Sequence, residues 1–286
     1  MRQLWLAVFL AFVASANAGE ARKPKVLTSF LPVYCFTVNV AGDLADVQNL
    51  LPPGASPHDF QLSRSDVRKL NQADLLIANG LGAEPWLDKL VRESAKQRPV
   101  VLMSAGLEKG SNPHIWLDPI LAAHAVTNIL RALQSADPRN ADGYVANARA
   151  FVQRLYALDR DFQDALSPAK GSSIVTYHDA FPHLARRYGL RVVAVVEETP
   201  EVPPGPRHLA KLRQIVQTQG VKAMFTDAEH PERLAEQLAE DFGVRIAALY
   251  TIENGELSRT AYEDGMRKNL NILKRTLADH ASANAK

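Results

Sequence analysis

From Pro138 to Leu166 the chain runs without a further proline, and Tyr144, Ala148, Phe151, Leu155, Leu158, Phe162 and Ala165 recur at alternating steps of four and three. That spacing predicts one amphipathic helix, opened by Asp137 as its cap with Pro138 at the first helical position. Its one weak point is Gly143, which costs about 1 kcal/mol against alanine in a helix interior. Ser167-Pro168 ends it. At about 1.5 Å per residue such a helix reaches on the order of 40 Å, the width of a domain, so it can join two lobes.

On either side, short β-prone runs alternate with helical segments. Before the long helix, strands are expected at residues 25–29, 47–51, 75–78 and 100–103. Helices are expected at 33–41, from Ser63 onward in a near capping box with Asp66, at 84–93, and from Pro119 to about Gln134. After it, strands fall at 173–176, 191–196, 223–226 and 245–249, and helices at 180–188, 208–219, 231–242 and 260–277. This order predicts an α/β protein of two lobes with mainly parallel sheets, joined by one long linking α-helix. The expected divisions are an N-terminal lobe at 19–136, the linker at 137–168 and a C-terminal lobe at 169–286.

The chain's 286 residues suffice for two such lobes. Thirty-three basic and 31 acidic residues, a net charge of +2, are spread along it. That balance leaves no electrostatic footprint for nucleic acid. Met1-Arg2-Gln3 leads into an apolar run from Leu4 to Ala14 and then Ser15-Ala16-Asn17-Ala18. This is the pattern of a cleavable signal peptide over residues 1–18, with cleavage after Ala18 and a periplasmic product. The single cysteine, Cys35, lies in an apolar context and reads as a small core residue.

Three of the eight histidines stand in loops or at strand ends: His58 after Ser56-Pro57, His114 between Pro113 and Pro119, and His178 after the strand that starts the second lobe. In open parallel sheets, ligands bind beyond the carboxyl ends of the strands, and neutral imidazoles suit zinc and related metals. Their wide separation matches no local metal motif. From pattern alone His114 also fits a turn residue, His58 an exposed one and His178 a helix cap. His124, His183, His208, His230 and His280 read as structural or solvated.

The run Leu51-Pro52-Pro53-Gly54-Ala55-Ser56-Pro57-His58-Asp59-Phe60, followed by Ala73-Asp74-Leu75 and Asn79-Gly80-Leu81-Gly82, then Trp86-Leu87, resembles the first lobe of the ZnuA/TroA-like family. These are the metal-binding solute receptors of ABC transporters. Pro113-His114-Ile115-Trp116-Leu117-Asp118-Pro119 is similar to that family's second ligand motif, and Tyr177-His178-Asp179-Ala180-Phe181 to its third. The resemblance implies one divalent cation in the cleft, held by His58 and His114 from the first lobe and His178 from the second. It also implies delivery to an ABC permease in the inner membrane, and the receptor is expected to be a monomer. The fourth position departs from the family pattern. Ile252 stands where an aspartate is often found, so the adjacent Glu253, Asp59 or a water is left to complete the shell. Three imidazoles favour zinc over manganese, although the His-rich loop of many zinc receptors is missing before His114, and a manganese or iron receptor of the same family is the alternative.

A secreted zinc hydrolase is the competing class. It would need a general base beside an activated water, and the chain holds no His-Glu-x-x-His, no nucleophile elbow and no phosphate-cradling glycine loop. Asp59 and Asp179, beside two of the histidines, suit partners that orient imidazoles as well as bases. An adhesive role has no support in the composition. The sequence therefore points to a receptor and not an enzyme.

Overall fold

The computed structural model describes residues 22–197, 202, 204–228 and 233–278. The signal peptide expected over residues 1–18, His230 and His280 lie outside them. The first lobe holds β1 (Lys25–Thr28), α1 (Leu31–Ala41), β2 (Asp46–Asn49), α2 (Arg64–Gln72), β3 (Leu75–Ala78), α3 (Leu87–Glu93) and β4 (Val100–Leu102). Two antiparallel helices follow, α4 (Pro119–Ala136) and α5 (Ala141–Leu166). The second lobe holds β5 (Ser173–His178), α6 (Pro182–Tyr188), β6 (Arg191–Glu197), α7 (Pro206–Thr218), β7 (Val221–Asp227), α8 (Arg233–Phe242), β8 (Arg245–Leu249) and α9 (Ala261–Ala278).

Every strand pair in the two sheets is parallel, as apolar strands separated by helical crossovers require. The sheet orders are β2-β1-β3-β4 and β6-β5-β7-β8. The two lobes thus repeat one topology, and in each the strand order reverses beside its first strand, which opens a crevice at the carboxyl ends.

The long helix forms, with one correction at its start. Asp137 does not cap it. Residues Pro138–Asn140 make a single 3-10 turn and the α-helix begins at Ala141. The Asp137 carboxylate instead accepts hydrogen bonds from the Asn140 amide (2.6 Å) and the buried Tyr144 hydroxyl (3.2 Å). The capping aspartate is Asp118, whose carboxylate takes the Ile120 and Leu121 amides at the start of α4 (2.8 and 3.4 Å). Gly143 is a close-approach position: a Cβ there would lie 2.6 Å from Leu44.

Helix α5 is what makes the two lobes one body. Tyr144, Phe151, Leu155, Leu158 and Phe162 are fully buried along it, each contributing about 1.5–3 kcal/mol of burial. Phe151 lies against Phe36 of α1 (centroids 5.7 Å apart), and Phe162 stacks on Tyr188 of α6 at 4.9 Å. One hydrophobic core therefore runs from the first sheet through α4, α5 and α9 to the inner face of the second. A smaller cluster, with Val175, Leu212, Met224 and Leu238, fills the space under α7 and α8. Cys35 is fully buried, its thiol on the Ser258 carbonyl and its pKa pushed up by desolvation to about 12. It is a buried core residue, as its setting suggests.

Inside this packing, Asp159 of α5 is buried and takes both prongs of the Arg187 guanidinium (2.9 and 2.7 Å), the Tyr188 hydroxyl (3.2 Å) and Gln163 (2.8 Å). Removing the carboxylate strands Arg187 and the Tyr188 hydroxyl. We expect Asp159→Ala to lower the unfolding free energy by about 3 kcal/mol, read as a shifted denaturant midpoint of the metal-free protein with an unchanged slope.

Candidate metal centre

Four side chains from four separate segments converge at the seam between the lobes. One donor atom each of His58, His114, His178 and Glu253 lies within 4.8 Å of all the others. His58 comes from the long loop after β2, His114 from the turn before α4, His178 from the last residue of β5, and Glu253 from the loop after β8. His114 and Glu253 are buried, with side chains 3% and 5% exposed, while His58 and His178 keep 16% and 14% exposure at the mouth. One Glu253 oxygen sits 2.9 Å from His114 Nε2 and 3.3 Å from His58 Nε2. A tetrahedral shell with bonds of about 2.0–2.1 Å places neighbouring ligand atoms about 3.3 Å apart, so these spacings fit a zinc-sized ion. The buried His114 Nε2 makes no hydrogen bond despite its nearness to Glu253, which leaves its lone pair free for a cation.

The two ligand loops of the first lobe are fixed by polar residues of that lobe, and the Glu253 loop is held from across the seam. In the first sheet, the buried Glu84 carboxylate accepts from the Ser29 hydroxyl (2.7 Å) and from the Asn79 and Gly80 amides (2.7 and 2.9 Å), closing the turn after β3. Desolvation raises its pKa against those three bonds. Asn79 then donates to the Pro113 carbonyl (3.0 Å), next to His114, and the Trp86 indole donates to the Pro57 carbonyl (2.8 Å), next to His58. The residues of the Asn79…Trp86 stretch thus hold the two ligand loops in place. Across the seam, the Trp116 indole donates to the Thr251 carbonyl of the second lobe (2.8 Å). Ile252 follows in a left-handed conformation (φ 61°), rare for a β-branched residue. Its buried side chain lies over Gly265, where an added Cβ would stand 2.9 Å from it. The strain, on the order of 1–3 kcal/mol, turns Glu253 inward.

All four of the sequence-derived candidates are therefore brought together, whereas Asp59 is not among the converging donors. Sequence reasoning missed the groups that orient the imidazoles. His178 Nδ1 pairs with the Asp227 carboxylate at 3.1 Å, and not with its neighbour Asp179. Asp227 ends β7, the strand hydrogen-bonded alongside β5. An acidic residue at the carboxyl end of the strand beside the one that carries a ligand was the available signal. His114 Nδ1 pairs with Asn112 Oδ1 at 2.8 Å. The histidines read as structural have structural partners: His124 pairs with the Ala105 carbonyl, His183 with that of Asn112 and His208 with that of Val195.

A sequence-family model described as the periplasmic component A of a zinc-uptake complex matches residues 26–276. The chain is 32% identical over 288 residues to the zinc-binding protein AdcA of Streptococcus pyogenes serotype M6, covering 89% of this chain and 56% of that protein. It thus spans little more than half of that relative. Among solved structures, it is similar to the solute-binding protein FpvC of Pseudomonas aeruginosa in complex with Mn2+ (TM-score 0.85, 30% identity, 90% of this chain and 99% of that one). It is also similar to the Zn(II)-bound ZnuA-like domain of Streptococcus pneumoniae AdcA (TM-score 0.76, 31% identity, 90% and 99%).

Burial and neighbouring charge set the protonation of the cluster. Desolvation pushes His114 below the ordinary histidine range, with Glu253 pulling the other way. Burial also opposes charge on His178, but the hydrogen bond and charge of Asp227, helped by Glu253 and Asp179, raise it to about 9. Burial would raise Glu253, yet His114 and His58 hold it well below the carboxylate range. Without metal, His178 is thus an imidazolium at neutral pH. Its folded value exceeds the unfolded one of about 6.5, so its contribution to stability is complete below about pH 6.5 and is lost as pH rises through about 9. The metal-free protein should lose on the order of 3 kcal/mol at most across that window. Denaturant melts of wild type and Asp227→Asn will show it: the variant should lose most of this pH dependence.

Proposed function

This chain belongs to the ZnuA family of periplasmic zinc-uptake components, and on that premise we propose that it captures one divalent metal ion, zinc, between its lobes and delivers it to an ABC permease. The convergence of His58, His114, His178 and Glu253 within 4.8 Å carries this reading. We place the receptor in the periplasm, exported by the signal peptide of residues 1–18, and working as a monomer whose lobes at 19–136 and 169–286 flank the linker at 137–168.

Capture fits the donor set better than catalysis. Three imidazoles and a carboxylate fill a tetrahedral shell, whereas catalytic zinc keeps a position for water. The ion enters by exchanging its hydration shell for these donors, and His178 gives up its proton as it ligates through Nε2. Asp227 then takes the Nδ1–H and keeps the ring turned toward the metal. Nitrogen-rich coordination favours zinc over manganese, which prefers oxygen. A manganese reading draws on the likeness to the Mn2+ complex of FpvC.

Metal analysis of the mature protein should return one zinc per chain, retained in competition with equal manganese. His58→Ala, His114→Ala, His178→Ala and Glu253→Gln should each weaken zinc binding, and the two buried ligands, His114 and Glu253, should cost more than the roughly 10–100-fold typical of outer residues. Zinc held at wild-type affinity by all four variants would remove this site, and manganese displacing zinc would reassign the cargo.

A further inference from the structure

Asn112 stands outside the four donors but touches both halves of the site. Its Oδ1 accepts from the His114 main-chain amide (3.0 Å) and pairs with His114 Nδ1 (2.8 Å). Since an amide oxygen only accepts, His114 Nδ1 carries the proton there, and Nε2 is left with a free lone pair. Its Nδ2 crosses the seam, donating to the Asp179 carbonyl (2.7 Å) and to the Asp179 carboxylate (3.2 Å), one residue beyond His178. Its main-chain carbonyl accepts from His183 Nε2 of α6 (2.8 Å), whose Nδ1 faces Arg186 (3.1 Å). Pro113 restricts the backbone of Asn112 to extended conformations, which limits where the side chain can go.

We propose that Asn112 is a positioning residue that latches the lobes together through Asp179 and His183 while holding the His114 imidazole in its metal-binding tautomer. The proposal rests on the metal-centre reading above and extends it. When the lobes are together, one amide satisfies a ligand from the first lobe and the segment that carries a ligand from the second. When they part, Nδ2 loses Asp179, the carbonyl loses His183, and the side chain that steers His114 is freed. Metal retention is thereby coupled to closure: the ion leaves quickly only after the latch opens.

Such coupling acts on release and spares capture. The experiment is zinc dissociation into excess chelator, with association measured in parallel, for wild type, Asn112→Leu, Asn112→Asp and His114→Ala. Asn112→Leu removes every side-chain bond. Asn112→Asp keeps the acceptor for His114 but loses the donor to Asp179. Both Asn112 variants should release zinc about 10–100-fold faster, with association changed only a few-fold and with α6 amides, protected from hydrogen exchange in zinc-loaded wild type, exchanging faster. Wild-type release from Asn112→Leu, alongside loss of zinc by His114→Ala, overturns the latch alone. Full rescue by Asn112→Asp also overturns it, reducing Asn112 to a holder of His114. Zinc retained by His114→Ala removes the metal centre, and the latch with it.

Discussion

The Glu253 carboxylate is buried where the two lobes meet, and a buried charge without partners is too costly to keep. His58 Nε2 faces it from the first lobe at 3.3 Å and His114 Nε2, its lone pair free, at 2.9 Å, so that a cation held between them would supply the missing charge. Their loops are held in turn by Trp86 and Asn79. The carboxylate reaches this place because Ile252 accepts a left-handed backbone and Trp116 fixes the Thr251 carbonyl just before it. Tyr262 of α9 completes the chain by donating to the Trp116 carbonyl at 2.7 Å. A site assembled this way cannot be loosened at one residue without exposing an unpaired group at another.

The two lobes share one topology but use its crevice differently. In the second sheet, the ends of the neighbouring strands β5 and β7 supply a donor and its orienting carboxylate, His178 and Asp227. In the first, the equivalent ends, Ser29 and Asn79, face the buried Glu84, and the donors are carried on loops pinned from that platform. One half is therefore built into the sheet and the other hangs from it. This division follows from reach, since two short strand ends cannot surround an ion by themselves.

Much of this was legible in the sequence because periodicity reports burial directly. The four-three spacing of Tyr144 to Phe162 marks the linking helix, and the alternation of β-prone runs with helices marks parallel sheets. The three histidines were legible through their motifs, whereas Glu253 stood beside Asp59 and water as one of three alternatives for the fourth position, and it is the one that converges with them. What escaped detection were relations between distant segments. Asp227 lies 49 positions from His178 and becomes its partner only through the pairing of β5 with β7. Asn112 immediately precedes the motif at Pro113–Pro119, but its bonds to Asp179 and His183 exist only once the lobes are docked. Asp137 misled for the opposite reason. Its local pattern is that of a helix cap, and the buried Tyr144 hydroxyl, which needs an acceptor, competes for the same carboxylate.

Where the molecule can yield follows from the linker. Sharp bends in helices arise at prolines, at glycine or serine pairs and at bulges. Within α5 the only such residue is Gly143, near one end and pressed against Leu44. Bending the middle would also separate Phe151 from Phe36 and Phe162 from Tyr188, and would break the two-pronged Arg187–Asp159 pair. Those contacts cost several kcal/mol together, more than the proposed cycle of capture and release could lose at every turn. The mouth of the seam is held differently, by the hydrogen bonds of Asn112 with Asp179 and His183, which water can replace at about 0.5–1.5 kcal/mol each. The long helix therefore acts as a fixed strut, and in the proposed cycle of capture and release the part that yields is the seam spanned by Asn112.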